Sequence, residues 1–273
     1  MPARYRVAIA EKNLFGCATE LVLELPRDLE AVPGQFLHVL CGGDGRILRR
    51  PFSLTVSSSG ELALLVRPAG AGSRWLCARE AGETLDLLGP LGRGFAVLEG
   101  AREHLLVAGG AGIAPLRFLA RVMRGRKLRF SLYWGVEGAG DYGTLPELLA
   151  MECRLDLATR DGSAGYRGTV LELLRESGGR PGAALYACGP REMLSGLVGG
   201  LGEEELERTQ VSVEERMACG VGACRGCAVP AEGGGGSYLA ACRDGPVFFA
   251  GELDWERFQD APARRSGQGD GAR

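Results

Sequence analysis

The middle of the chain alternates short apolar runs with amphipathic segments, and this alternation restricts the fold more than any other feature. Four runs have the length and composition of buried strands: EHLLVAGG, LRFSLYWGV, RLDLATRDG and AALYACGP. Each is followed by a segment with helical periodicity: APLRFLARVMRG, GTLPELLAME, GTVLELLRES and REMLSGLVGGL. Strands that alternate with helices form parallel sheets covered on both faces. We therefore predict an α/β domain over residues 101–208.

The segments on either side of this domain have different patterns. Residues 1–100 contain six short apolar runs, which Gly, Pro and Ser interrupt at close intervals: YRVAIAEK, ATELVLEL, QFLHVLC, FSLTVSS, ELALLVRP and ETLDLLGP. This pattern predicts an antiparallel β-barrel. Residues 209–255 are rich in Gly and Cys with little apolar sequence, so we predict a small C-terminal domain there. Residues 256–273 are polar and are predicted to be a disordered tail.

Composition excludes several classes of function. At 273 residues the chain exceeds one ordinary core, which favours a multidomain fold. The 32 basic and 34 acidic side chains leave no basic face for nucleic acid and no polybasic membrane anchor. No apolar run approaches the roughly 20 residues of a membrane span, and MPARYRVAIAEKN does not resemble a signal peptide, so we expect a cytoplasmic protein without membrane association.

The chain has nine cysteines, an odd number that argues against a disulfide framework. Four are clustered as Cys219-x4-Cys224-x2-Cys227-x14-Cys242, which matches the spacing of plant-type iron–sulfur ligands. Structural zinc is the alternative, although zinc ribbons usually present two C-x2-C pairs and this chain has one. A Rieske centre would need two histidine ligands, and the only histidines, His38 and His104, lie far from the cluster in sequence.

The remaining cysteines are scattered, and we predict that those in barrel or sheet context are small buried side chains. They are Cys17, Cys41, Cys77 and Cys153.

The segment RRPFSLT suggests a clamp for a flavin nucleotide. Arg50 would neutralise phosphate and Ser53 would face the flavin edge, whereas the alternative is a solvated strand end. The later segment LVRPAGAGS supplies Arg67 and two small residues, Gly72 and Ser73, that would permit close approach to phosphate.

A second nucleotide site is predicted at LLVAGGAGIAPLRFLARV, where a strand, a Gly-rich turn and a helix follow directly. Such a turn brings backbone close to a pyrophosphate at the helix N-terminus, and a helix start without a ligand is the alternative. The segment YACGP ends a later strand at the edge where α/β sheets bind ligands. The candidate residues are Gly109, Gly110, Gly112, Pro115, Cys188, Gly189 and Pro190.

Together, RRPFS, GAGS, LGPLGRGF, GGAGIAPL, CGP and the cysteine loop resemble the ferredoxin reductase superfamily in content and order. The run EERMACGVGACRGC with CRDGPVF is similar to one branch, the electron-transfer subunits of NAD-linked (type 1B) dihydroorotate dehydrogenases. The resemblance spans residues 5–252. It implies a [2Fe–2S] cluster on the four loop cysteines, and FAD contacts from Arg50, Pro51, Phe52, Ser53, Leu65, Val66, Arg67, Gly72 and Ser73.

Two positions depart from the pattern of that family. Ser73 replaces the more usual Thr, and both supply a hydroxyl. Arg160 stands where the family more often has an acid, which leaves the choice between NAD and NADP open because a guanidinium favours a 2′-phosphate.

The implied cofactors determine an order of electron transfer. Nicotinamide exchanges electron pairs and an iron–sulfur cluster exchanges single electrons, so flavin must lie between them, and no side chain is predicted to be catalytic. The resemblance implies an NAD-linked oxidoreductase subunit of pyrimidine biosynthesis. Its partner would be an FMN-containing subunit that oxidises dihydroorotate to orotate, in a heterotetramer with two of each chain.

Two other functions remain open. A related flavin and iron–sulfur subunit could serve an NADP–ferredoxin oxidoreductase, a sulfide dehydrogenase or a hydrogenase. In a different class, a zinc-stapled interaction module would make the glycine turns purely structural.

Overall fold

The computed structural model describes residues 3–26, 29–42, 47–143, 145–151, 153–178, 182–234 and 236–260. Its N-terminal part is a closed six-stranded antiparallel barrel with the strand order β1-β2-β5-β4-β3-β6. The strands are β1 (Ala3–Phe15), β2 (Ala18–Leu23), β3 (Phe36–Val39), β4 (Arg50–Val56), β5 (Leu62–Val66) and β6 (Thr84–Leu91). All six correspond to the apolar runs of the sequence, so the barrel prediction is confirmed.

The barrel interior forms because its strands alternate between buried and partly exposed positions. Strand β6 shows this most clearly, since Leu85 and Leu87 are buried in the barrel core while Asp86 and Leu88 beside them are partly exposed. A short helix, α1 (Ala71–Cys77), follows β5 and closes one end with the buried Leu76.

The second unit is a seven-stranded sheet with the order β10-β9-β8-β7-β11-β12-β15. Every neighbouring pair is parallel except β12 with the edge strand β15. The strands are β7 (His104–Gly109), β8 (Phe130–Val136), β9 (Arg154–Thr159), β10 (Tyr166–Arg167), β11 (Ala184–Cys188), β12 (Thr209–Ser212) and β15 (Val247–Phe249). The four predicted strands are present, and all six positions of β7 are buried, as expected for a strand with both faces covered.

Helices cover this sheet and join it to the barrel. They are α2 (Ile113–Gly125), α3 (Leu145–Leu149), α4 (Val170–Glu176), α5 (Arg191–Val198), α6 (Glu203–Leu206) and α7 (Trp255–Asp260). Helix α2 packs against β7 and β11 of the sheet and against β4 of the barrel. In the described ranges, no helix is long and apolar enough to cross a bilayer.

A buried ion-pair network lies where α2 meets the barrel. Arg117 of α2 is completely buried and contacts Glu20 of β2, which is also completely buried, and the carbonyl oxygen of Val56. Its Nη1 lies 2.8 Å from Glu147 Oε2 on α3. Four elements, α2, β2, β4 and α3, therefore meet at one guanidinium, which connects the barrel to the helix that starts at the glycine turn.

The C-terminal segment is more closely joined to the sheet than we expected from its composition. Its strands β12 and β15 complete the seven-stranded sheet, which thus extends across the boundary predicted at residue 208. The buried Phe248 belongs to the same core as Val107 and Tyr133 of the sheet. Among the described residues, β13 (Ala228–Pro230) and β14 (Tyr238–Ala240) form a separate two-stranded ribbon, which packs against that core through Val229 and Ala240.

The predicted tail begins with ordered structure, which corrects its start at residue 256. Helix α7 extends to Asp260 because Trp255 and Phe258 form an apolar stripe at helical spacing, and Phe258 is buried beneath the Arg191 guanidinium at 4.3 Å. The prediction for residues 261–273 falls outside the described part of the chain.

Candidate functional site

The two arginines of RRPFS have different structural roles. Arg49 donates from Nη2 to Asp86 Oδ1 at 2.6 Å and from Nη1 to the Asp86 carbonyl at 2.8 Å, so it joins β4 to β6. The guanidinium of Arg4, followed by that of Arg49, lowers the pKa of Asp86 to about 2. Arg50 is exposed and, among the described residues, donates only to the backbone carbonyls of Leu48 and Arg49. Arg50 is thus the arginine that is available to an anion.

Arg50 lies beside Gly72 although the two residues are on different elements. A Cβ atom placed on Gly72 would lie 3.3 Å from Arg50 Cγ and 3.6 Å from Cys41 Sγ, so any larger residue would crowd this surface. The side chains of Pro51, Phe52 and Ser53 are only partly buried, and Leu54 is the first fully buried residue of β4. This end of β4 therefore presents a surface on which a planar ligand can lie.

The other residues predicted to contact the flavin differ in their burial and hydrogen bonding. The Ser73 hydroxyl accepts hydrogen bonds from the backbone N–H groups of Ala69, at 2.8 Å, and Gly70, at 2.9 Å, and donates to the Gly70 carbonyl at 3.0 Å. It stabilises the start of α1. Val66 points into the barrel core and is buried, whereas its neighbour Leu65 lines a cleft.

This cleft separates the barrel from the sheet. The barrel contributes Leu65 and Arg67, and the sheet contributes Gly110, Ala111, Trp134 and Asp141. Arg67 Nη2 lies 2.7 Å from Asp141 Oδ1, and Trp134 Nε1 donates to the Gly110 carbonyl at 3.0 Å. Gly110 has a φ of +52° and lines the cleft, and a Cβ atom placed on it would meet nothing closer than Arg67 Nη1 at 4.0 Å, so this residue of the turn is open to a ligand.

The other glycines of the turn serve close packing. A Cβ atom on Gly112 would lie 2.1 Å from the Cys188 carbonyl oxygen, and one on Gly109 would lie 2.8 Å from Pro190 Cδ. The GGAG and CGP turns therefore meet at backbone distance, which brings the two predicted halves of the site together. Cys188 is buried, and burial raises the pKa of its thiol, so the thiol is neutral. Pro115 is buried in the first turn of α2.

The four clustered cysteines are surrounded by backbone N–H groups. Gly222 donates to Cys242 Sγ at 3.1 Å. Three further N–H groups lie 3.4 Å from sulfur: Cys224 to Cys219, Gly226 to Cys224, and Cys242 to Cys227. Every one of the four sulfurs therefore accepts at least one backbone hydrogen bond, the environment that stabilises thiolate ligands.

The pKa values of two of the clustered cysteines, Cys219 and Cys242, also fit the binding of iron cations. Burial opposes ionisation of the Cys219 thiol, but the N–H groups of Cys224, Val221 and Ala223 lower its pKa to about 6. Burial and the neighbouring sulfurs of Cys227 and Cys219 raise the pKa of Cys242 to about 12. Four thiolates at this spacing repel one another, so a bound cation would favour their deprotonation.

The group of four cysteines is buried on one side only. Cys227 and Cys242 are buried, Cys219 is half-buried and Cys224 is exposed. In the part of the chain that the structure describes, no three His, Cys, Asp or Glu side chains surround one single-ion position. A [2Fe–2S] cluster instead divides its four thiolates between two irons.

His38 is the residue of this region that sequence reasoning missed. Its Nε2 lies 3.2 Å from the Met217 carbonyl oxygen, and a Cβ atom on Gly220 would lie 2.5 Å from its Nδ1. His38 is distant from the cysteine loop in sequence but contacts it in the fold. His104, by contrast, lies within 3.3 Å of the Tyr186 hydroxyl in the sheet. No local sequence signal connects β3 to this loop.

The scattered cysteines are not all buried. Cys41 is buried as predicted, and Cys77 and Cys153 are half-buried. The prediction for Cys17 is wrong, because this residue lies in the exposed turn between β1 and β2 and its thiol donates to Asp141 Oδ1 at 3.1 Å.

Arg160 lies at the carboxyl edge of the sheet, directly after β9. Its Nη1 is 3.8 Å from Oε1 of Glu137, which follows the neighbouring strand β8, and both side chains are largely exposed. A basic and an acidic group thus occupy the edge at which nucleotide ribose binds in α/β sheets.

Comparison with known proteins identifies two domains of this chain. Residues 214–254 match the family model described as the iron–sulfur cluster binding domain of dihydroorotate dehydrogenase B, and residues 106–198 match an oxidoreductase NAD-binding domain. The electron transfer subunit of dihydroorotate dehydrogenase B (NAD(+)) from Desulforamulus reducens is 40% identical over 231 residues, covering 83% of this chain and 88% of the relative. The chain belongs to this family of electron transfer subunits.

A second member of the dihydroorotate dehydrogenase B family, from Bacillus caldolyticus, is 38% identical and covers 93% of this chain and 99% of the relative. A solved NADH-dependent reduced ferredoxin-NADP oxidoreductase, described in work on flavin-based electron bifurcation, superposes with a TM-score of 0.79 at 26% identity over 95% of this chain and 93% of that chain. The FAD/NAD-binding domain of a Vibrio cholerae nitric oxide dioxygenase shares the fold alone, with a TM-score of 0.64 at 20% identity over 77% of this chain and 98% of that chain. The predicted family and ferredoxin reductase-like fold class are confirmed.

Proposed function

We propose that this chain transfers electrons between NAD(H) and a partner subunit through FAD and a [2Fe–2S] cluster. One observation carries the proposal: the four cysteines within the matched iron–sulfur domain each accept backbone N–H hydrogen bonds at sulfur. That environment fits thiolate ligands of iron, and the fold supplies two nucleotide surfaces beside it. When bound, the flavin supplies the conversion between hydride and single-electron transfer.

We assign the predicted residues to three groups. Cys219, Cys224, Cys227 and Cys242 hold the cluster. FAD lies on the β4 surface and at the start of α1, against Arg50, Pro51, Phe52, Ser53, Leu65, Arg67, Gly72 and Ser73. Val66, which was also predicted, is buried in the barrel core and supports the strand from below. The nicotinamide nucleotide lies at the paired turns, against Gly110 and Pro190. The other predicted residues, Gly109, Gly112, Pro115, Cys188 and Gly189, are buried beneath these turns and pack them together.

The side chains of this chain bind, orient and insulate rather than exchange protons with a substrate. Arg50 neutralises a pyrophosphate through its exposed guanidinium. Trp134 donates a hydrogen bond to the Gly110 carbonyl. This contact orients the turn so that its other groups face the cleft. Arg67 and Asp141 join the barrel to the sheet across the cleft and so maintain its width. These contacts keep the two nucleotide surfaces at a fixed separation.

The partner is proposed from the half-exposed cluster. Electrons enter or leave where Cys224 and the 46% exposed side chain of Val221 reach the surface, because nothing else of this chain covers them there in the described ranges. We propose that an FMN-containing subunit oxidising dihydroorotate docks at this edge, in a complex of two subunits of each kind. The names of the relatives, electron transfer subunits of dihydroorotate dehydrogenase B, support a catalytic partner.

The proposal is tested with anaerobically purified protein. We expect flavin absorption, iron with acid-labile sulfide, and dihydroorotate-dependent reduction of NAD+ once the FMN subunit is added. Protein that contains neither iron nor sulfide would refute the assignment. Reduction of ferredoxin with NADPH, without activity toward the FMN subunit, would instead support the related ferredoxin-linked oxidoreductases.

Arg50→Ala is expected to weaken FAD binding by about 1.5–3 kcal/mol, the contribution of a charged hydrogen bond, with little change in the thermal midpoint of the FAD-free protein. The matched control is Arg49→Ala, which removes the contact with Asp86 and should lower the thermal midpoint instead. Flavin release measured by fluorescence titration distinguishes the two. Full FAD occupancy in Arg50→Ala would remove this residue from the site.

Arg160→Glu is expected to raise the preference for NADH over NADPH, as a ratio of kcat/KM values, by about tenfold, because an acid repels a 2′-phosphate that a guanidinium attracts. The control is Arg154→Glu at the opposite end of β9, where no effect on the ratio is expected. Steady-state dye reduction with each nucleotide gives the ratio. An unchanged ratio in Arg160→Glu would show that the 2′ position lies elsewhere.

A further inference from the structure

One buried side chain connects the two proposed redox sites without belonging to either. His38 of β3 has no exposed surface, and its imidazole leaves the barrel to contact the loop that precedes and follows Cys219. At a buried position of a barrel strand, an apolar side chain would pack without the free-energy cost of burying a polar ring. The imidazole at this position therefore suggests a role beyond packing.

The proton position on the ring follows from its contacts. Nε2 lies 3.2 Å from the carbonyl oxygen of Met217, and a carbonyl can only accept, so Nε2 carries the proton. Nδ1 is then a buried acceptor, and it has no hydrogen-bond partner among the described residues. It faces Gly220. The imidazole therefore contacts the loop in two ways. Nε2 donates a hydrogen bond to the Met217 carbonyl, and the Nδ1 edge of the ring packs against Gly220.

Gly220 is adapted to this contact in two ways. Its φ is +74°, a conformation that residues with a Cβ seldom adopt, and a Cβ would also lie 2.5 Å from Nδ1 and 3.1 Å from Cε1 of His38. The loop reaches the ring only because residue 220 is a glycine. The backbone on both sides of Cys219 is consequently fixed against one side chain.

The backbone of His38 lies in the strand next to the proposed flavin surface. His38 is the register partner of Pro51 on β4, and its carbonyl accepts a hydrogen bond from Arg49 at 3.3 Å. Pro51 lies between Arg50 and Phe52, which are assigned to FAD. One residue thus has its backbone in the strand pair that presents the flavin surface and its side chain against the cluster loop.

We propose that His38 is a positioning residue that holds the cluster loop on the flavin strand pair and so sets the separation and orientation of the two redox groups. The inference rests on the proposed function, because it requires FAD on β4 and a cluster on the loop. His38 transfers no electron or proton in this account. Its loss slows transfer between flavin and cluster while hydride transfer from NADH to flavin continues.

Two amide substitutions distinguish the effect of losing the hydrogen bond to Met217 from the effect of merely replacing the ring by another polar side chain. In His38→Gln the amide nitrogen takes the position of Nε2 and can still donate to Met217, whereas in His38→Asn it takes that of Nδ1 and cannot reach. With the cluster-loaded chain, stopped-flow absorbance should show flavin-to-cluster transfer slowed by about tenfold or more in His38→Asn, on the scale of a small misplacement of reacting groups, and within about threefold of wild type in His38→Gln. Flavin reduction by NADH should be unchanged in both.

A second readout does not depend on electron transfer. Hydrogen exchange of the metal-free protein should be faster over residues 217–222 in His38→Asn than in wild type or His38→Gln, because the loop has lost its anchor. The control is His104→Asn, which replaces the other buried histidine and should alter neither transfer nor exchange in the loop.

The outcomes are distinct. If His38→Asn retains both the wild-type transfer rate and wild-type exchange, or if Gln and Asn impair the protein equally, the positioning role is wrong. If wild-type protein contains no iron or sulfide, the proposed function fails, and the exchange experiment still decides whether His38 holds the loop.

Discussion

Cys227→Ser is expected to abolish the iron–sulfur cluster while NADH-dependent dye reduction by the flavin stays within about twofold of wild type. Cys227 is buried, and its sulfur accepts the N–H of Cys242, so a serine there removes one of the four proposed thiolate ligands. The nucleotide cleft around Gly110 and Arg67 is built from other elements. Iron and sulfide content, electron paramagnetic resonance and ferricyanide reduction measure the two effects separately.

The control for this change is Cys153→Ser, a half-buried cysteine beside the sheet that is outside the cluster. It should retain iron, sulfide and both activities. Loss of flavin reduction together with the cluster in Cys227→Ser would contradict the assignment of the two cofactors to separate sites.

Arg117→Met is expected to lower the free energy of unfolding by about 3–5 kcal/mol, because it leaves a buried carboxylate without its cation. Arg117 and Glu20 have no exposed side-chain surface, and Glu147 shares the guanidinium. Burial raises the pKa of Glu147 despite the opposing effect of Arg117, so a second carboxyl also depends on this contact. Urea denaturation of the FAD-free chain measures the change.

The double variant Arg117→Met with Glu20→Leu supplies the control. Since it removes the buried charge as well as its partner, it should recover at least half of the loss. Equal stability of the single and double variants would show that the contact does not join α2 to the barrel energetically. A large loss in the single variant would also predict impaired hydride transfer, because α2 begins at the glycine turn.

The six barrel strands and the four strands of the α/β unit were predictable because their signals are local. Alternating burial, turn residues and a strand–glycine–helix succession depend on neighbours within a few positions. The cysteine spacing likewise reports ligand chemistry directly, and the family to which it pointed is confirmed. The individual ligand and nucleotide contacts remain predictions that the variants above test.

The strands β12 and β15 at one end of the sheet were not predicted, because a strand of three or four residues has too little periodicity and its pairing partner is distant in sequence. The different roles of Arg49 and Arg50 could not be predicted from the sequence either. Arg49 lies just before β4 and Arg50 is its first residue, and only the position of Asp86 on β6 determines which arginine is structural and which is available.

The order of the units, the four cysteines that we propose as ligands and the two glycine-rich turns that we propose bind nucleotides could all be read from the sequence, since each is encoded in a contiguous stretch. The tertiary structure alone decided that His38 lies on the cysteine loop, that Arg117 joins helix to barrel, and that Gly109 and Gly112 serve packing while Gly110 faces the cleft. These contacts join residues that are distant in sequence, and each depends on how separate elements pack rather than on any local pattern.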